Sequence, residues 1–148
     1  MIVDAPYVDP SALTRLYLHQ DGSLAMARWS RRQRRPLRVT HHGRTEIVNA
    51  IGLAAFRGLI PLDRAAEAFE HLDDDFAQGH LEQVDVLWRA ALDRSAALSV
   101  LHTPTLGTRT LDVLHVACAL ELRARRFLSF DDRQRKLARA VGLNLVSI

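Results

Sequence analysis

The sequence predicts an α/β fold with a mostly parallel sheet covered on both faces. Short strand-like apolar runs alternate with segments of helical periodicity along the whole length. The later strands, "RFLSF" and "LNLVSI", each follow a helix, and strands alternating with helices argue for a parallel sheet covered on both faces. Seven Gly and five Pro in 148 residues leave little room for linkers, so residues 1–148 are expected to form a single domain.

"MIVDAPYV" reads as the first strand, with Pro6 near its start because proline cannot donate to a sheet ladder. Ala5 to Val8 is then the paired part. Ser11 is placed to cap a helix "SALTRLYLHQ", and "GSLAMARWSRRQRR" forms a second helix with Leu24, Ala27 and Trp29 inward. "PLRVT" is the second strand. "GRTEIVNAIGLAAFRGL" is helical, with Ile47, Ile51, Ala54 and Ala55 as its apolar stripe. Pro61 opens the next helix, "PLDRAAEAFEHLDDDFAQG", with Gly79 available to stop it, so these two helices make a hairpin. "HLEQVDV" is the third strand. A helix over "DVLWRAALDRSAALSVLH" follows, then a turn-rich "TPTLGTRT". The helix "LDVLHVACALELR", the strand "RFLSF", the helix "DRQRKLARAVG" ending at Gly142, and the strand "LNLVSI" complete the order.

Composition narrows the functional classes. A single cysteine excludes an internal disulfide framework and a Cys-rich zinc site, and Cys118 within "VACAL" reads as a core thiol. No run approaches the roughly 18 apolar residues of a membrane span, and no basic-then-apolar leader pattern opens the chain, so a cytoplasmic protein is expected. The net charge is +3, yet the basic groups are nearly all arginine, and "RRQRR" is the densest run. Guanidinium groups suit bidentate phosphate contacts, and they equally suit a solvated helix face or an acidic protein partner.

Acidic residues stand at element junctions. Asp9 follows the first strand directly and Asp131 follows "RFLSF" directly; in open α/β sheets ligands bind at the carboxyl ends of strands. Asp112 begins a helix, and Glu46 lies in the first turn of its helix after the second strand. Helix capping and the helix dipole offer a plainer account of each acid taken singly. Converging carboxylates repel unless a cation or proton holds them, so a shared position points to a cation.

The stretches "YVDPSALTRLYL", "TEIVNAI" and "RTLDVLHVACALELRARRFLSFDDRQRKLARAVGL" resemble, in order and spacing, the VapC-like PIN-domain toxins of bacterial toxin–antitoxin pairs. The resemblance covers nearly the whole chain. It implies a PIN-like three-layer α/β/α domain with a mostly parallel central sheet and a helical hairpin. It further implies a Mg²⁺-dependent endoribonuclease, with Mn²⁺ as a substitute, whose ion is held by Asp9, Glu46, Asp112 and Asp131. Pro10 stands where relatives often have threonine, and Ser129 replaces the common threonine before Phe130; neither change removes a carboxylate.

Hard oxygen ligands suit Mg²⁺ and Mn²⁺, and a pair of such ions about 3.5–4 Å apart can clamp the attacking and leaving oxygens of an in-line displacement. Supporting roles are expected for Ser11 beside Asp9, Asn49 one turn beyond Glu46, Ser129 in the Asp131 loop, the adjacent Asp132, and His115 at i+3 from Asp112. For His115, packing and support of the acids outweigh ligation. Arg44, Arg109 and Arg133 are candidate RNA contacts, with solvation as the plainer role. Expected partners are RNA, a VapB-like antitoxin that alone brings operator DNA to the complex, and a second copy of the chain; no membrane is expected. The competing reading is a catalytically inactive PIN-like module that binds RNA or antitoxin. A receiver domain would need a lysine at a set position and a phosphoacceptor arrangement, which the single Lys136 does not provide, and a haloacid-dehalogenase-like phosphatase would need an Asp-x-Asp where this chain has "DPS".

Overall fold

The computed structural model describes residues 5–148. In chain order the elements are β1 (Tyr7–Val8), α1 (Pro10–Leu13), α2 (Ser23–Arg31), β2 (Leu37–Thr40), α3 (His41–Phe56), α4 (Leu62–Ala77), β3 (Leu81–Val84), α5 (Trp88–Leu106), α6 (Thr110–Glu121), β4 (Arg126–Leu128), α7 (Asp132–Ala140) and β5 (Asn144–Leu145). The fold class is the expected one, an α/β/α arrangement of helices and parallel strands. The described residues divide into two compact units. The first holds residues 5–9 and 85–147, the second Pro10–Val84. The first four residues of the expected first strand lie outside the described part of the chain.

In the first unit β4 lies between β1 and β5, parallel to both, with Tyr7 opposite Phe127, Val8 opposite Leu128 and Phe127 opposite Leu145. Tyr7, Val8, Phe127 and Leu128 are all buried, as strands covered on both faces must be. Burying Phe127 alone contributes on the order of 1.5–3 kcal/mol. Helix α6 is buried without a break from Asp112 to Ala119, because its sequence is apolar around nearly the whole circumference. Helix α7 is amphipathic and turns Gln134, Leu137 and Ala138 inward. It ends where expected, at Gly142, whose φ of 93° favours glycine.

The "TPTL" segment departs from the sequence reading. It is helical rather than a turn, and α5 runs on to Leu106 with Pro104 inside its last turn. The fixed φ of proline is itself helical, so Pro104 continues the helix while forgoing the amide bond back to Val100, and the helix stops only at Gly107, whose φ is 65°.

In the second unit β2 and β3 pair in parallel, from Leu37 opposite Leu81 to Thr40 opposite Val84. The predicted helical hairpin is present. Arg44 ties α3 to α4 by lying 4.4 Å from the Phe76 ring centre and 2.9 Å from Asp73. Ile47, Ile51 and Ala54 form the buried stripe of α3, with Ala55 only half-buried. Thr40 starts this helix, its Oγ1 accepting the Gly43 amide at 3.0 Å, so Glu46 sits in the second turn rather than the first.

Two further expectations need correction here. Ser11 is not a cap but lies inside α1, because Pro10 already occupies the first helical position; α1 then tightens into a 3₁₀ turn over Thr14–Leu16 instead of continuing to Gln20. Leu24 is 60% exposed, while Met26 and Trp29 turn inward, which rotates the buried face of α2 away from the expected one.

Candidate functional site

The first unit gathers three of the four predicted acids. Because β1 and β4 are neighbours, Asp9 and Asp131 both leave the carboxyl ends of adjacent parallel strands. The Asp9 amide donates to the Leu128 carbonyl at 2.9 Å, extending the pairing by one residue and fixing the backbone that carries this carboxylate. Asp9 is 5% exposed and Asp112 7%, so both hold their carboxylates largely out of water.

Arg109 joins two of these acids. Its Nε is 3.2 Å from Asp112 Oδ2 and its Nη2 is 3.2 Å from Asp131 Oδ2. The Arg109 backbone amide also donates to Asp112 Oδ2 at 3.1 Å, so this carboxylate satisfies one amide at the start of α6. The guanidinium is held above its ordinary pKa, chiefly by the hydrogen bond to Asp112, then by the charges of Asp112 and Asp131. Its side chain remains 66% exposed, so it covers the acids from the solvent side.

Asp131 also caps α7: its Oδ1 accepts the Gln134 amide at 2.9 Å, and its own amide donates to Ser129 Oγ at 3.0 Å. Ser129 thus steadies the loop in the way the sequence suggests. Asp112 and Asp131 therefore fulfil the plainer helix-start roles and still converge on one cation, here a guanidinium. Asp132 points to water, 87% exposed and 3.9 Å from Arg135, and Arg133 is exposed on the same helix.

His115 lies one turn after Asp112 on α6, buried to 2%. Its Nδ1 is 2.6 Å from the Tyr7 hydroxyl, and its Nε2 is 3.8 Å from Asp9 Oδ1, too far for a hydrogen bond but close enough for electrostatic attraction. When Tyr7 donates to Nδ1, the ring proton sits on Nε2 and faces Asp9. Tyr7 is itself stacked on Phe127, with ring centres 5.4 Å apart and planes at 3°, so the orientation of the imidazole is set by the strand core.

The fourth acid, Glu46, belongs to the second unit. It is half-buried on α3 and lines a cleft of about 420 Å³ with Ser11, Arg15 and Arg57. His42, one turn earlier, brings a ligand atom within 4.8 Å of the Glu46 carboxylate. Asn49 is exposed, and Arg44 is engaged with Asp73 and Phe76.

Carboxylate oxygens are the donors that a hard divalent cation takes, and the first unit holds three such acids. Asp112 and Asp131 share one cationic group, the Arg109 guanidinium, while Asp9 faces His115. Within the second unit the His42–Glu46 pair offers an imidazole and a carboxylate, donors suited to metal ligation. Sequence reasoning missed Tyr7 and Gln134, and it read His42, paired with His41, as structural or exposed rather than as a metal ligand. Gln134 is fully buried, with its Nε2 3.4 Å from the Asp112 carbonyl, and its spacing of three from Asp131 was the available signal. Among the described residues no helix is long and apolar enough to cross a membrane. No protein-family model matches the chain, and comparison with curated proteins gives no match.

Proposed function

We propose that this chain is a divalent-metal-dependent endoribonuclease, the toxin of a VapC-like pair neutralised by a VapB-like antitoxin. The observation that supports it most is that Asp112, at the start of α6, and Asp131, beyond β4, share one cation, with Asp9 at the carboxyl end of the adjacent parallel strand β1. Glu46 enters this reading from the motif order alone. The ion, Mg²⁺ with Mn²⁺ as a substitute, would supply charge for the nonbridging phosphate oxygens and activate water. Asp9 and Asp112, the buried pair, would hold it, and Asp131 would exchange Arg109 for it. Arg109, released from the acids, would then face an RNA phosphate. Products with 5′-phosphate and 3′-hydroxyl ends follow from the family resemblance.

The antitoxin, and a second copy of the chain, would cover apolar surface such as Phe56, Leu59 and Leu62, which are 88%, 73% and 80% exposed. Operator DNA would be reached through the antitoxin alone, and the complex would work in the cytoplasm.

The test is incubation of antitoxin-free protein with total cellular RNA in Mg²⁺, Mn²⁺ or chelator, followed by mapping of the cut ends. Cleavage that needs the divalent ion and falls more than about 100-fold in both Asp9→Asn and Asp112→Asn is the expected result, since even outer partners of a metal site contribute 10–100-fold. Cleavage unchanged in either variant rejects the centre. One observation favours a second reading, an inactive binding module: Arg109 already satisfies Asp112 and Asp131. That reading gains if RNA binds equally well in chelator and is never cut.

A further inference from the structure

A second cavity lies wholly within the second unit and is lined by none of the four acids discussed above. It measures about 730 Å³, within the range of small-molecule sites. Its rim carries Arg31, from the end of α2, and Arg34 and Arg35, from the connection to β2; its opposite side carries His71 and Asp75 of α4 and His80 after Gly79. Leu16, Leu37 and Leu81 give it aliphatic walls. All three arginines are exposed, and none has a carboxylate partner among the described residues.

The one acid in the cavity is already compensated. Asp75 Oδ2 accepts from the Tyr17 hydroxyl at 2.6 Å and lies 3.5 Å from His71 Nε2, while Oδ1 lies 3.1 Å from His80 Nδ1. Tyr17 also holds His71 edge-on, with ring centres 5.0 Å apart. Asp75 therefore serves to orient two imidazoles, and none of the three guanidinium groups is spent on it.

We propose that this cavity binds the phosphate groups of a small phosphorylated ligand of up to nucleotide size. Arg31, Arg34 and Arg35 provide the bidentate forks. Aromatic side chains are absent from the lining, so the phosphates rather than a stacked base carry the affinity. The site is independent of the nuclease reading, because every lining residue belongs to the second unit.

The experiment is calorimetric titration of the full chain, in EDTA to exclude binding through a divalent ion, with pyrophosphate, adenosine diphosphate, adenosine and hexaglutamate as probes. Saturable binding of pyrophosphate and adenosine diphosphate, and none of adenosine, is expected. The Arg34→Gln/Arg35→Gln double variant and, separately, Arg31→Gln should each weaken both phosphate probes tenfold or more. Arg139→Gln, on exposed α7 surface, should leave both unchanged. Tighter binding of adenosine diphosphate than of pyrophosphate would identify a nucleotide, and equal binding a phosphate site without base recognition; both support the proposal. Absence of saturable binding, equal affinity in the arginine variants, or tighter binding of hexaglutamate than of either phosphate probe would overturn it. Hexaglutamate as the better ligand would make the cavity an acidic-peptide dock instead.

Discussion

Arg109 and Asp112 face each other twice, through the arginine backbone amide at 3.1 Å and through its Nε at 3.2 Å, while the far end of the same guanidinium reaches Asp131. One cation therefore spans two carboxylates that leave different elements. Whatever else occupies this region must either tolerate that guanidinium or replace it.

Replacing it has a measurable consequence. In Arg109→Gln the two carboxylates lose their shared cation, and the exposed ion pairs make the loss small, at most about 1 kcal/mol. For a chain of this size that corresponds to roughly 2–4 °C in Tm. Added Mg²⁺ should restore the variant by more than it raises the wild type, because the variant has more uncompensated charge to neutralise. Thermal melts of both proteins with and without Mg²⁺ decide it, and an equal Mg²⁺ effect on both would count against a divalent site at these acids.

The hydroxyl of Tyr7 is the only part of that side chain lost in Tyr7→Phe, and it sits 2.6 Å from a buried imidazole nitrogen. Leaving such a group without its partner costs about 1–3 kcal/mol. Urea unfolding should show a lower midpoint with an unchanged slope. A variant as stable as the wild type would mean that His115 gains little from this contact.

Two glycines of α3 make opposite cases. A Cβ on Gly52 would meet nothing within 4 Å, so Gly52→Ala should gain about 1 kcal/mol from helix propensity alone. A Cβ on Gly43 would lie 2.9 Å from Thr40 Oγ1, the capping atom of the same helix. Displacing that hydroxyl costs about 1 kcal/mol, which cancels the propensity gain, and the crowding adds to the loss. Gly43→Ala should therefore be neutral or destabilising, and chemical denaturation of the two variants side by side reads the difference.

Cys118 supplies a pH prediction. Burial pushes its thiol up from the ordinary 9.0 to about 12, with the charge of nearby Glu121 adding to the shift. The folded chain thus holds this proton more tightly than the unfolded chain does. The resulting stability is fully present below about pH 9 and is lost as pH rises toward about 12. A thiol reagent at pH 8 should label the native protein far more slowly than the urea-unfolded protein, and rapid labelling of the native form would contradict the burial.

The alternation of strands and helices was legible because periodicity changes from element to element and the apolar runs are unbroken. The same logic put Asp9 directly after β1, as the structure has it, but β4 stops at Leu128, so Asp131 stands three residues beyond its strand as the cap of α7. The start of α3 was less visible: Thr40 reads as the end of a strand, and its capping role appears only once His41 and His42 are seen to be helical. Contacts across long sequence separations left no periodic trace. Tyr7 and His115 are 108 residues apart, and nothing in "APYV" or "VLHV" announces their hydrogen bond. The reach of Arg109 toward the acids was equally hidden, because spacing places a side chain on a face without saying whether it folds inward or extends to solvent. The "RRQRR" run showed charge density, but its cavity depends on α4 arriving with His71 and Asp75.

The short β1 strand gives Asp9 a built-in clock. With two residues in the strand and the Asp9 amide bonded to Leu128 just past the last register pair, fraying of that end exposes this one hydrogen to solvent exchange. The deuteration rate at Asp9 then measures how often the backbone beneath the carboxylate lets go. Any ligand that grips the side chain should slow that rate, whether or not a reaction follows.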